Sequence, residues 1–324
     1  MVVRDAQNRH RPYAKLKLSN DGENSEGMVS LAMRIATWNV NSLNARLEKV
    51  MWWLDRAKPD VLLIQETKLA DRDAPIEAFK QAGYQLAHHG EGRWNGVAIA
   101  SRCGVGGVVT NFGDPLRQAR TSDTGDDEPQ AEARMISAEC GGLRVICIYA
   151  PNGRQIDSPF YEAKLVWFDR LARWIEEADT PDTPTVIGGD FNVAPDDIDV
   201  WDPRACDGGT HVSEPERQAY GRLMRLGFVD AYRLHHAEAG RFTWWDYRAG
   251  NFYKNIGMRI DHLLVTAPLR TRVVWAEIDR EARKGKPLPS DHAPVVIDLD
   301  KPGHPFDAGW ASAESRIAAR LKKE

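Results

Sequence analysis

Short apolar runs of strand length, many of them stopping on a polar residue, recur along this chain and constrain its fold more than any other feature. MRIATWNV (33–40) and VLLIQE (61–66) are followed by YQLAHH (84–89), NGVAIAS (95–101), ARMISAE (133–139) and GLRVICIYA (142–150). TVIGGD (185–190), MRIDHLLVT (258–266), RVVWAEID (272–279) and APVVIDLD (293–300) complete the series. Their β-branched content and turn-forming flanks predict strands. Helical spacing is confined to a few stretches: residues 44–60, where Leu47, Val50, Met51 and Leu54 recur at the helix period, then 76–81, 159–178 and 217–226. Strands in hairpins with few helices between them predict two mixed sheets packed face to face, rather than a parallel doubly wound sheet.

No Pro/Gly/Ser-rich linker divides residues 33–300, so one domain is expected there. Residues 1–32 are polar, lack the apolar stretch of a secretory signal, and are expected to form a disordered extension or an upstream start ahead of Met33. Residues 301–324 read as a C-terminal tail, the Asp-rich TSDTGDDEPQ (121–130) as a solvated hairpin tip, and 201–216 as an irregular connection. Hydrophobic residues at 42% with 11 Trp supply a large core. No apolar run approaches the roughly 18 residues of a membrane-spanning helix, and no membrane role is expected. Cys103, Cys140, Cys147 and Cys206 show no CxxC spacing and read as reduced thiols in a cytoplasm. A net charge of −4 does not announce a nucleic-acid partner, and it does not exclude one, because an acidic metal site and a basic face can share a molecule.

The polar residues at strand ends carry the chemistry. The glycines of GGDFN (188–192) are expected to let the backbone turn so that Asp190 and Asn192 project toward a common point. Asn39 ends the first strand, Glu66 the second, and Tyr149, followed by PNGR, another. Asp261 lies in MRIDHLLV, and Asp291 and His292 in LPSDHAP. Each alone has a local explanation, as a helix cap, a turn or a core residue. The set together resembles the exonuclease III family of metal-dependent DNA-repair nucleases, in the endonuclease/exonuclease/phosphatase superfamily. The matching segments are TWNVNSLNAR, LLIQETKL, IYAPNG, IGGDFNVAP, NIGMRIDHLLV and SDHAPVV, in the family's order.

The resemblance implies a four-layer α/β sandwich and a divalent cation, Mg²⁺ with Mn²⁺ as the alternative. Glu66 matches the metal-binding carboxylate, Asn39 shapes the metal side, and Asp291 is a second-ligand or leaving-group-acid candidate. Asp190 matches the residue that orients or deprotonates the attacking water. Asn192 and Tyr149 match donors toward phosphate. Asp261 and His292 match a carboxylate and imidazole pair, the carboxylate favouring the charged imidazole. Asn152 and Arg154 are phosphate-contact candidates, with Arg46 and Lys68 weaker ones. Trp244, Met258 and Ile260 fall at positions lining a pocket for an abasic sugar, although Met258 stands where some relatives have Trp. Trp245 and Phe252 read either as part of that pocket or as core.

The implied partner is double-stranded DNA with abasic sites or recessed or blocked 3′ ends, bound by a cytoplasmic, nucleoid-associated monomer. The implied reactions are cleavage at abasic sites, 3′-5′ exonuclease and 3′ phosphatase. Two other readings share the fold: a phosphodiesterase for a small or lipid substrate, and a non-catalytic DNA-binding scaffold. The pairs His88/His89 and His235/His236 match none of the segments and read as satisfied surface or loop histidines. They lack the spacing of a zinc site.

Overall fold

A computed structural model of the chain describes residues 32–113, 132–178 and 183–321. In β1 (Met33–Asn39) and β2 (Val61–Gln65), Ile35 and Leu63 pack to one side, Ala36, Trp38, Leu62 and Ile64 to the other, and all six are buried. Strands covered on both faces read as continuous apolar runs instead of an alternation. The remaining strands are β3 (Gln85–His89), β4 (Val97–Ser101), β5 (Gly106–Thr110), β6 (Met135–Cys140), β7 (Leu143–Tyr149), β8 (Thr185–Asp190), β9 (Phe228–Asp230), β10 (Asp261–Thr266), β11 (Val273–Ile278) and β12 (Val295–Leu299). They form two six-stranded sheets, ordered β11-β12-β1-β2-β4-β3 and β5-β6-β7-β8-β10-β9.

Each sheet holds a central parallel pair, β1 with β2 and β7 with β8, and its other pairings are antiparallel. A parallel pair needs a crossover, and here each crossover holds a helix. The first is α1 (Leu43–Ala57); after the short α2 (Ile76–Gln81), the second is α3 (Pro159–Glu177). Ser42 and Ser158 cap these two helices through their hydroxyls, and Lys58 ends α1 in the left-handed conformation. Trp53 and Leu54 of α1 cover Trp38, Leu62 and Ile64. Phe168, Leu171 and Ile175 of α3 cover Ile146, Ile148 and Ile187. Ile35, Leu63, Val145, Val186, Leu263 and Val295 meet between the sheets. The result is the expected four-layer α/β sandwich.

Shorter helices follow: α4 (Pro203–Cys206), α5 (Glu214–Arg225), α6 (Asn251–Lys254), α7 (Ala267–Arg270) and α8 (Glu314–Leu321). Helix α5 begins three residues before the predicted start at Arg217. Ser213 and Glu216 form a capping box, the S-x-x-E signature hidden at the end of the stretch taken as irregular. Strands β5 and β9 were not predicted; β5 is largely exposed and opens on two glycines, and β9 is only three residues long. In the stretch taken as a tail, Trp310 is buried beside Trp245 and its indole donates to the Ile278 carbonyl at 2.7 Å. The extension expected over 1–32, apart from Ala32, and the hairpin tip at 121–130 lie outside the described residues.

Candidate active site

Parallel pairing sends the C-terminal ends of β1, β2, β7 and β8 to one edge of the sandwich, and antiparallel pairing brings the start of β10 there too. Ligands in α/β sheets gather at such carboxyl ends. Asp190 ends β8 directly between Tyr149 of β7 and Asp261 of β10 in the register. Asn39 is the last residue of β1, Glu66 follows β2 with φ 55°, and His292 lies just ahead of β12, in a bridge with Trp244.

The glycines of GGDFN act differently from the expectation. Gly188 and Gly189 lie inside β8, and neither has a positive φ. A Cβ on Gly188 would stand 2.6 Å from methyl carbons of Leu263 and Leu63, and one on Gly189 would stand 1.9 Å from the Ile148 carbonyl oxygen. They permit close packing of the strand, while the turn itself is made at Asn192, with φ 51°.

At the centre, Asn39 Nδ2 donates both to Glu66 Oε1 at 2.9 Å and to Asp190 Oδ2 at 3.0 Å. Asn39 Oδ1 accepts the Asn41 backbone N–H, so this amide holds two carboxylates close together across the two sheets. The Tyr149 hydroxyl donates to Glu66 Oε1 at 3.0 Å, and the Arg134 guanidinium lies 4.7 Å over the Tyr149 ring. Lys68 Nζ bridges Glu66 Oε2 at 2.8 Å and Asn41 Oδ1 at 2.7 Å. His292 Nδ1 donates to Asp261 Oδ2 at 2.8 Å, and its Nε2 stands 3.9 Å from Asp190 Oδ2. The second Asp261 oxygen is buried and has no hydrogen-bond partner among the described residues.

These contacts set the protonation states. Burial opposes charge on His292, but Asp261, Asp190 and Asp291 outweigh it and push the imidazole up to about 10. The ring is therefore a charged double donor at neutral pH, as the resemblance implies. Burial, then the charge of Asp261, pushes Asp190 up to about 7 against the pull of His292, Asn192 N–H and Asn39. Burial works to raise Glu66, yet Lys68, Asn39 and His292 hold it below the usual carboxylate range. Burial, then Glu66, holds the Tyr149 phenol well above its ordinary value, so it keeps its proton.

Ligand atoms of Glu66, Asp190 and His292 lie within 4.8 Å of one another. With His292 protonated, the oxygens of Glu66 and Asp190 remain as donors, a set suited to a hard cation that keeps several waters. Asp291 is outside this trio; it accepts from Asn41 Nδ2 at 3.0 Å and Trp244 Nε1 at 3.2 Å.

Asn192 is nearly buried: its N–H donates to Asp190 Oδ1, its Nδ2 donates to Ala150 O, and its Oδ1 accepts from Asn152. Its second Nδ2 hydrogen has no acceptor among the described residues. Asn152 and Arg154 are exposed, with the Arg154 guanidinium 3.6 Å over Phe160. Trp244, Met258 and Ile260 come together in a small apolar cluster with Val200, Trp201, Cys206 and Val212. Trp245 and Phe252 are core residues in edge-to-face contact. Of the weaker phosphate-contact candidates, Arg46 donates to Asn41 O and Tyr247 OH. His88 sits between Thr67 and Asp71, His89 is buried, and His235 and His236 bond to the carbonyls of Val273 and Ala276. Sequence reading missed His211, whose Nδ1 donates to Asn192 O at 2.7 Å, and the buried pair Lys164–Glu216 beneath it. The capping box at Ser213 was the one signal near them.

A four-layer sandwich with carboxylates, amides and an imidazole converging at the strand ends defines a class of metal-dependent hydrolase that works on phosphate esters. Residues 36–292 match the Endonuclease/Exonuclease/phosphatase family, and the chain belongs to it. It is 31% identical over 272 residues to an exodeoxyribonuclease of Bacillus subtilis, covering 83% of this chain and 100% of that protein. It is likewise 31% identical over 275 residues to exodeoxyribonuclease III of Haemophilus influenzae, covering 82% and 100%. Among solved structures, an AP endonuclease from Archaeoglobus fulgidus superposes with a TM-score of 0.76 at 38% identity, covering 83% of this chain and 100% of that one. The Neisseria 3′ phosphatase NExo bound to product DNA hairpin gives 0.75 at 38%, with the same coverage.

Proposed function

We propose that this protein is a DNA-repair phosphodiesterase of the exodeoxyribonuclease III type, acting on duplex DNA at abasic sites and at recessed or blocked 3′ ends. The observation that carries the reading is the single polar cluster in which Asn39 joins Glu66 to Asp190 while His292, charged by Asp261, stands beside them. The likeness to nucleases and to a 3′ phosphatase supports DNA as the substrate class. A Mg²⁺ or Mn²⁺ ion would be held by Glu66, beside Asn39, with Asp190 within ligand reach and Asp291, linked through Asn41, as the second-ligand candidate. When bound, it would neutralise charge on a non-bridging phosphate oxygen.

The chain's own groups do the rest. Asp190, with a proton affinity near neutrality, orients the attacking water and takes its proton, within reach of the His292 imidazolium. His292 donates from Nε2 to a phosphate oxygen while Asp261 fixes the ring through Nδ1. Tyr149 stays protonated, with its one O–H on Glu66 Oε1 until a phosphate oxygen competes for it. Asn192 offers an amide hydrogen to the phosphate, and Asn152 offers the one that faces His211 Nε2 at 3.5 Å. Arg154 supplies a positive charge on the exposed side. Trp244, Met258 and Ile260 form the apolar wall that an abasic sugar would meet. A cytoplasmic monomer completes the reading. No helix among the described residues is long and apolar enough to cross a membrane.

The test uses end-labelled duplexes bearing an abasic site, a nick or a 3′ phosphate, each with Mg²⁺ and with chelator. Cleavage or phosphate release in Mg²⁺, lost with chelator, is expected. Intact duplexes of all three kinds in Mg²⁺ would overturn the reading, and comparison of the three rates measures the balance among the activities.

A further inference from the structure

Beneath the cleft, one fully buried ammonium joins three segments that are distant in the chain. Lys164 Nζ, on α3, donates to Asn192 O at 2.7 Å, to Asn152 O at 3.3 Å and to Glu216 Oε1 of α5. An ammonium has three hydrogens, and these three acceptors use all of them. Glu216 is equally committed: its other oxygen accepts from Ser213 N at 3.1 Å and Ser213 Oγ at 2.7 Å, and Ser213 Oγ meets Tyr161 OH at 2.7 Å. The loop carrying Asn152 is pressed onto this helix, since a Cβ on Gly153, at φ +87°, would stand 3.1 Å from Lys164 Cδ. Above the ammonium, Asn152 Nδ2 donates to Asn192 Oδ1 at 3.2 Å and faces His211 Nε2 at 3.5 Å. His211, in the left-handed region at φ 77°, donates from Nδ1 to the same Asn192 carbonyl.

Burying such a pair is costly, and apolar side chains of similar volume commonly support a fold as well or better. What an apolar pair cannot do is pull two carbonyl oxygens from two different loops onto one point. We propose that Lys164 is a positioning residue: its ammonium gathers the Asn152 and Asn192 carbonyls and thereby sets the spacing of the two side-chain amides at the phosphate, with Glu216 holding the ammonium in place. The inference rests on the proposed phosphodiester hydrolysis. Misplacement of such groups by an ångström costs about a hundredfold in rate.

The test is the paired variant K164M/E216Q, which leaves no lone buried charge and keeps an N3 residue able to cap Ser213. Assayed on whichever duplex the wild type cleaves in Mg²⁺, it should unfold within a few degrees of the wild type, lose about a hundredfold in kcat and keep its KM within a few-fold. Asn152→Ala should then cost much less in that background than in the wild type, because the amide it removes is already displaced. Unchanged kcat, or a full additive loss from Asn152→Ala, would overturn the proposal. Should the paired variant fail to fold, Gly153→Ala, which pushes the loop off α3 without touching a charge, should lower kcat, and undiminished kcat there would overturn it instead. Wild-type protein that cleaves no duplex removes the functional reading on its own, before any variant is compared.

Discussion

Two buried charge clusters flank Ile260, and they are built on opposite terms. On one side Arg259 pairs bidentately with Asp199, at 2.7 and 3.1 Å, and reaches Asp230 at 2.7 Å, while Arg233 joins Asp199 from the far side. Two guanidinium groups meet two carboxylates, and backbone N–H groups of Asp196, Tyr232 and Arg233 take up remaining oxygens. His262 closes this network neutral, accepting from Arg259 at Nδ1 and donating to Val193 O from Nε2. On the other side Asp261, Asp190, Glu66 and Asp291 meet Lys68 and His292 directly, with Lys164 and Arg283 acting from farther off, and one Asp261 oxygen has no hydrogen-bond partner among the described residues. The matched network pins the loop after β8 to the start of β10. The unmatched one crowds carboxylates together, and a bound cation would offset that charge. Local conflict of this kind marks a functional site, whereas agreement marks scaffold.

Removing one charge from each cluster should have opposite consequences. Asp190→Asn should lower kcat by about 10³-fold or more on any duplex the wild type cleaves, and urea unfolding should show it at least as stable as the wild type, because a buried like-charge contact is gone. A stability loss there would mean that the cleft cluster is as balanced as its neighbour. Arg259→Leu should behave in the reverse way, costing about 3–5 kcal/mol in the same unfolding measurement by stranding Asp199 and Asp230. Folded Arg259→Leu protein at low temperature should keep measurable turnover.

Acid sharpens the contrast further. Burial, then Arg259, pushes the His262 imidazole from 6.5 down to about 4, so the unfolded chain takes up a proton that the folded one refuses. The stability tied to this residue is intact above pH 6.5 and is lost as pH falls toward 4, by roughly 3 kcal/mol at most. Unfolding curves at pH 7.5 and 4.5 should therefore fall further apart for the wild type than for His262→Gln, which takes up no proton in that range. The smallest effect belongs to Lys68, whose ammonium occupies one face of Glu66. Lys68→Met should tighten Mn²⁺ binding a few-fold in a calorimetric titration, and weaker binding would show that Lys68 organises the site instead of competing for its carboxylate.

The two clusters were unequally legible. Asn39, Glu66, Asp190, Asp261 and His292 each stand at a strand end with an apolar run on one side, and their matching segments fall in one order, so the cleft cluster could be assembled from sequence. Arg259 and His262 lie inside one of those segments, but their partners Asp199 and Asp230 lie outside all of them with no spacing that links the four, because charges matched across loops leave no periodic trace. Lys164 was unreadable for a similar reason. It falls on the apolar face of an amphipathic helix, and its three acceptors, two of them backbone carbonyls, come from three other places in the chain.

Local chemistry in the chain determined where most of the strands and the longer helices run and which polar groups end those strands, since side-chain period, capping and turn propensity are written in neighbouring residues. Tertiary structure alone decided that Gly188 and Gly189 serve packing instead of turning, that Trp310 belongs to the core, and that His262 is held neutral. Each of these depends on atoms brought close from distant parts of the chain, where desolvation and Coulomb energy are set by distance in space and carry no signature along the sequence.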